Sequence, residues 1–273
     1  MTDNFAPPPP EPSRLPAAPS RSESSIESSA PNLAGSDAAG HATGAVAPTA
    51  ERAEGVTVRA LPRLFNPETK LAARLRTILR FCIDTMINPW IGPAVENAPD
   101  WSKLGPVIIA PNHTSFADPI LVQSAIPRDI RFMMTEGIYR VKWMRWFFDI
   151  WGAIPVPDGS ALKVDAIKSA LAAMRSGKTI GIFPEGGIAR DGVLQVGQPG
   201  VVMLMVKARL PVIPVAVIGS YKLLPFHARF PRAAWIRVRF GTPIMPPERV
   251  DKDGAHDFAA KIMAEIARLS HEN

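Results

Sequence analysis

Cysteine occurs once, at Cys82, so the chain can build neither a disulfide framework nor a cysteine-based metal site, and a reducing compartment is expected. Set within a helical pattern, Cys82 is read as a small buried hydrophobe. Long apolar runs are lacking as well. Arg74, Arg76, Arg80 and Asp84 interrupt the stretch near residue 80, and Lys207 with Arg209 interrupts the one from Val201 to Ile218, so no bilayer-spanning helix is expected. The first residues, Met-Thr-Asp-Asn-Phe, lack the basic flank and apolar stretch of a secretory signal, and cytoplasmic synthesis is the expectation. There is no Gly-x-Ser-x-Gly nucleophile elbow and no cluster of His and Cys ligands, which argues against a serine-nucleophile site and a metal site.

Aromatic residues are scarce at the start of the chain. Residues 1–55 hold one Phe, nine of the 29 prolines, three Lys/Arg and seven Asp/Glu. Such a Pro-, Ser- and Ala-rich stretch cannot bury enough apolar surface to fold, and it reads as a disordered leader. Its net charge is −4 within a chain of +6, so the remainder is +10. A basic surface suits anionic partners: nucleic acid, anionic lipid head groups, or a phosphorylated carrier such as coenzyme A. No base-reading basic helix, zinc-finger spacing or aromatic RNA signature is present, which sets nucleic acid aside.

Three regions follow: the leader at 1–55, an amphipathic membrane-proximal segment at 56–100, and a folded domain at 101–273. In the second, Leu71, Leu75, Ile78, Leu79, Cys82 and Met86 recur at spacings of three and four, predicting a helix over Glu68 to Ile87 with Lys70, Arg74, Arg76 and Arg80 as its charge. This helix fits a membrane interface, with Trp90 beside it, or equally the surface of the following domain. Beyond Trp101, short apolar runs predict strands at Pro106–Ala110, Ile130–Met134, Ala153–Val156, Thr179–Phe183, Val212–Ile218 and Ile236–Phe240. Helical patterns lie between and after them, at Ala117–Ser124, Ile138–Asp149, Ala161–Ser176, Gly200–Ala208 and Ala255–Leu269. The alternation predicts an α/β fold, a central largely parallel or mixed sheet flanked by helices. The aromatic segment Tyr139 to Trp151 is apolar all round, which suits a core helix or a lipid-facing wedge.

The sharpest chemical feature is Asn112-His113-Thr114-Ser115-Phe116-Ala117-Asp118-Pro119, between a strand and a helix that starts near Ser115 or Phe116. An alcohol needs a base to attack an acyl group at neutral pH, and a neutral imidazole serves, its other ring nitrogen held by a carboxylate. The same octapeptide also reads as a helix cap, Ser115-x-x-Asp118, beside a structural imidazole. A second turn, Phe183-Pro184-Glu185-Gly186-Gly187, follows another strand. Glu185 there is placed to accept a hydrogen bond from an acceptor hydroxyl, and the glycine N–H groups to face a phosphate or oxyanion.

Together the two turns resemble the hallmark of the glycerolipid acyltransferases, PlsC-like proteins of the 1-acylglycerol-3-phosphate O-acyltransferase type, in which His-x4-Asp precedes Phe-Pro-Glu-Gly. Weaker blocks at Gly152–Val156 and Leu210–Val215 extend the resemblance over residues 100 to 245. It implies that His113 is the base and Asp118 its partner, with Asn112, Glu185, Gly186, Gly187 and Arg190 binding substrate. It also implies direct transfer from acyl-CoA or acyl-carrier protein to a lysophospholipid, with no covalent acyl-enzyme and no metal or other cofactor, and the basic charge and amphipathic helix add the expectation of a peripheral protein on the cytoplasmic, anionic membrane surface. Two departures stand out. Where many members have arginines, this chain has Asp158 after the second block and Ile188 after Glu185-Gly186-Gly187. Arg190, Lys222 or Lys207 is left to hold an acceptor phosphate, or the acceptor is a different lysolipid such as a lyso-ornithine lipid. The rivals from other classes are a catalytically idle membrane-binding module and a thioester hydrolase.

Overall fold

The computed structural model describes residues 63–86, 91–157 and 164–271. The leader, Trp90 and Asp158 lie outside the described residues. In chain order the elements are α1 (Lys70–Met86), β1 (Ala94–Glu96), β2 (Ile108–Pro111), α2 (Asp118–Ala125), β3 (Ile130–Thr135), α3 (Glu136–Tyr139), α4 (Arg145–Trp151), β4 (Ile154–Val156), α5 (Val164–Arg175), β5 (Thr179–Gly181), α6 (Gly200–Ala208), β6 (Val212–Ile218), α7 (Ser220–Leu223), β7 (Arg237–Phe240) and α8 (Lys252–His271).

Seven strands form one sheet in the order β1-β7-β6-β2-β5-β3-β4. From β6 to β4 all neighbours are parallel, while β7 runs antiparallel to β6 and carries β1 parallel to itself. The sheet is therefore mixed and flanked by helices, in line with the alternation of the sequence. The expected strands are all present. Missed were β1 and α7, of three and four residues, too short for any hydrophobic period to register.

The strands are apolar on both sides because helices cover both faces. Along β2 the residues alternate: Ile108 and Ala110 join a core with α5, α6 and α8, and Val107 and Ile109 join a core with α2. Strand β2 crosses to β3 over β5, whereas β5 crosses to β6 over β2. Neighbouring strands whose connections leave in opposite directions open a crevice at their carboxyl ends. The two chemically loaded turns are the ones that follow β2 and β5.

Two local expectations need correction, the continuous aromatic helix and the burial of Cys82. The helix Ile138–Asp149 is two helices, α3 and α4, because Tyr139 donates its hydroxyl proton to buried Asp149. In one continuous helix ten residues would separate those groups by about 15 Å. The aromatic segment is divided: Tyr139, Phe148 and Trp151 are core, while Trp143 is 75% exposed. Cys82 is exposed rather than buried, since α1 docks through Ala72 and Arg76 and leaves Leu71, Ile78 and Phe81 outside. Two of the basic residues of α1 serve this docking. Arg76 donates to Asp129 and to the carbonyls of Pro67 and Ile150, and Arg80 donates to the Ile126 carbonyl.

Candidate active site

The turn after β2 is built around one oxygen. Asp118 Oδ2 accepts from the backbone N–H of Thr114 at 2.8 Å and Ser115 at 2.7 Å, and lies 3.0 Å from His113 Nδ1. Helix α2 begins at Asp118, not at Ser115 or Phe116, because residues 115–118 form a separate turn closed by Asp118 N–H on the Ser115 carbonyl. That turn folds the carboxylate back over its own approach. The octapeptide is therefore no helix cap: the N-cap of α2 is Ala117 without a side-chain bond, and the Asp118 carboxylate instead reaches back to the Ser115 N–H and meets the imidazole.

An ionised carboxylate only accepts, so the network assigns the proton of His113 to Nδ1 and leaves the Nε2 lone pair unused. One ring face of His113 stacks on Phe183 at 3.8 Å, and Phe183 stacks in turn on Phe132. The His113 side chain is 12% exposed, and Nε2 has no hydrogen-bond partner among the described residues. Asp118 is fully buried, and its Oδ1 has no partner among the described residues. The arrangement can fix a tautomer, hold a ring and stabilise an imidazolium, the functions a general base requires.

Glu185 is brought to His113, but not as the sequence suggests. Its Oε1 accepts from the His113 backbone N–H at 2.6 Å and its Oε2 from the Gln195 N–H at 2.9 Å. Both oxygens are thereby engaged with backbone, and the side chain clamps the β5 turn onto the β2 turn. The Ala189 N–H completes the clamp by donating to the His113 carbonyl at 2.8 Å. Burial pushes the Glu185 carboxyl above its ordinary pKa of 4.5, against the opposing pull of those two N–H donors.

Asn112 is likewise taken up with backbone. Its amide accepts from the Val217 N–H at 2.7 Å and donates to the Val217 carbonyl at 3.2 Å, locking the turn to the end of β6. Gly186 needs its left-handed φ of 77°, and its N–H donates to the Phe183 carbonyl, so it is not directed at an oxyanion. Gly187, Ile188 and Arg190 line an open cleft of about 530 Å³ together with Glu185, Gln195 and Gln198. The Arg190 guanidinium lies 4.8 Å from the ring centroid of Phe226, which itself stacks on Phe116 of the His113 turn. Lys222, on α7 after β6, stands at the same end of the sheet as His113. Lys207, in the last turn of α6, stands at the other end.

Sequence reasoning missed the roles of Thr114 and Ser220, and read Ser115 only as a helix cap. Thr114 Oγ1 and Ser220 Oγ are 3.0 Å apart, and Ser115 Oγ donates to the Leu224 carbonyl at 2.9 Å. These bonds span more than a hundred residues, and no spacing rule signals them.

The chain is similar to known proteins over the region that holds this site. Residues 93–218 match the family model described as Acyltransferase, which takes in both turns. The chloroplastic 1-acyl-sn-glycerol-3-phosphate acyltransferase of Brassica napus is 27% identical over 132 residues, 48% of this chain and 38% of that protein. The 1-acyl-sn-glycerol-3-phosphate acyltransferase of Borreliella burgdorferi is 28% identical over 130 residues, 46% of this chain and 49% of its own. The chain thus spans half or less of the length of these curated relatives. The crystal structure of the 1-acyl-sn-glycerophosphate acyltransferase PlsC from Thermotoga maritima superposes with a TM-score of 0.53 at 19% identity, covering 72% of this chain and 84% of that one, a likeness of fold. Residues 93–218, which hold both turns, thus match the Acyltransferase family model, and over about half its length the chain is similar to 1-acyl-sn-glycerol-3-phosphate acyltransferases.

Proposed function

We propose that the protein transfers a fatty acyl group from a thioester donor, acyl-CoA or acyl-carrier protein, to the hydroxyl of a lysophospholipid. The single observation that carries this reading is the unpartnered Nε2 of an imidazole whose Nδ1 is fixed by buried Asp118. The acceptor hydroxyl gives its proton to Nε2 as its oxygen attacks the thioester carbonyl. The new C–O bond forms, the C–S bond breaks, and the imidazolium returns the proton to the departing thiolate. A base so placed contributes roughly 10² to 10⁴ in rate. Among the described residues, three serines and threonines of the site, Thr114, Ser115 and Ser220, are occupied in hydrogen bonds that position the turn, which fits transfer without an acyl-enzyme.

The first acceptor is 1-acylglycerol-3-phosphate, the substrate named by the relatives, with Arg190 at the cleft and Lys222 at the same edge as phosphate partners. Ile188, apolar and lining the cleft, favours a second reading in which the lysolipid head group is not a phosphate monoester, as in a lyso-ornithine lipid. Such substrates reside in a membrane. Exposed Leu71, Ile78 and Phe81 of α1, with Trp143 before α4 and the basic Lys70, Arg74 and Lys142, support peripheral binding at the anionic cytoplasmic face. No helix among the described residues is long and apolar enough to cross a membrane.

The test is transfer of a labelled acyl group from acyl-CoA to a panel of lysolipids. Labelled diacyl product with lysophosphatidic acid is expected. Labelled free fatty acid in the presence of acceptor would establish a hydrolase, and no turnover of any acceptor or donor would establish an idle membrane module.

A further inference from the structure

Between Asp191 and Glu248 the sequence has no acidic residue, yet it carries seven Lys/Arg. The stretch Pro225-Phe-His-Ala-Arg-Phe-Pro-Arg-Ala-Ala-Trp235 within it alternates aromatic and basic residues. It joins α7 to β7 and so leaves from the carboxyl end of β6, the edge that holds His113. Here Phe230 is 79% exposed and Trp235 96% exposed, and Arg229 and Arg232 are exposed without an acidic partner among the described residues.

This loop is held in place rather than left loose. Gly219 has φ 89°, and a Cβ there would meet the Trp235 carbonyl oxygen at 2.2 Å, so the two ends of the loop close on each other only through a glycine. The Arg232 N–H donates to the Leu223 carbonyl at 2.7 Å. Its start is joined to the catalytic turn by Ser115 on the Leu224 carbonyl and by Phe226 against Phe116. A fixed loop that presents Trp, Phe and unpaired Arg to the outside has the composition of a membrane interface. Aromatic rings suit the head-group level, and each arginine near an anionic surface adds about fivefold in partition. An acidic carrier protein would be met by the arginines but gives no use to the exposed Trp235 and Phe230.

We infer that the 225–235 loop is a second membrane anchor, separate from α1, that seats on an anionic lipid surface and turns the edge of the sheet that holds His113 toward it. This deepens the reading of the site as a lysolipid acyltransferase and rests on it for its purpose.

The experiment is co-sedimentation of the full chain with vesicles of phosphatidylglycerol and phosphatidylcholine, compared with phosphatidylcholine alone. The variants are Phe230→Ser/Trp235→Ser and Arg229→Gln/Arg232→Gln, each also assayed for acyl transfer to a short-chain, water-soluble lysophosphatidic acid. The arginine pair is expected to lower partition onto the anionic vesicles on the order of 25-fold. The aromatic pair should lower it on both vesicle types, and neither should change turnover of the soluble acceptor. Unchanged partition in both pairs overturns the anchor, as does an arginine pair that keeps vesicle binding but loses affinity for acyl-carrier protein. If wild type fails to acylate the soluble acceptor while partition behaves as expected, the anchor stands and the proposed activity fails.

Discussion

The turns after β2 and β5 meet in the same crevice, yet they are organised differently. In the first, His113 and Asp118 lie five residues apart and act through their own side-chain atoms. In the second, Glu185 acts 72 residues away, on the backbone of His113, and its side chain has no oxygen left without an N–H partner. On the proposed reading one turn supplies the reacting group, and the other holds that turn in place. The difference teaches that an unbroken motif does not give every residue in it the same kind of task.

Substitution should separate the two turns. The largest effect belongs to His113→Ala, which removes the base and is expected to lower turnover by about 10² to 10⁴ with thioester affinity unchanged. Asp118→Asn comes next. An amide cannot accept from Nδ1, Thr114 and Ser115 as one ionised oxygen does, and steady-state assays should show a loss in kcat on the order of 10². Asn112→Ala leaves the N–H and carbonyl of Val217 buried without partners, for a loss of about 1–3 kcal/mol in denaturant unfolding. Glu185→Gln keeps one acceptor oxygen and strands one N–H, so it should cost about 1 kcal/mol and depress kcat without weakening the acceptor. A weaker acceptor with unchanged kcat would return Glu185 to substrate binding.

The smallest effect is on pH dependence. A carboxyl whose pKa is raised on folding binds its proton more tightly in the folded state. The contribution of Glu185 to stability is therefore fullest below pH 4.5 and is lost as pH rises through its folded-state pKa. Glu185→Gln cannot titrate, so its unfolding free energy should fall less steeply than that of wild type from pH 4.5 upward. Parallel slopes would remove burial as the cause of the shift.

How much of this was legible in the sequence depended on distance along the chain. The pairing of His113 with Asp118 is local, fixed by a turn and the first residue of a helix. The strands of the parallel core were legible because burial on both faces makes them continuous apolar runs, as in Val212 to Ile218. Strand order was not legible, and only the order places β2 beside β5. The duties of Asn112, Glu185 and Ser115 depend on that neighbourhood, since each bonds to backbone delivered by a distant segment. In α1 the periodicity found the helix but not its docked face, because buried Arg76 satisfies its guanidinium on Asp129 and two carbonyls. An arginine counts as polar in any hydrophobic pattern, so the apolar stripe of the sequence is not the face that docks.

The direct test of the central claim is the single-turnover rate of acyl transfer by His113→Ala, measured with saturating donor and with added imidazole. If Nε2 takes the hydroxyl proton, the rate falls at least about a hundredfold and free imidazole restores part of it. A variant that transfers the acyl group as fast as wild type contradicts the account.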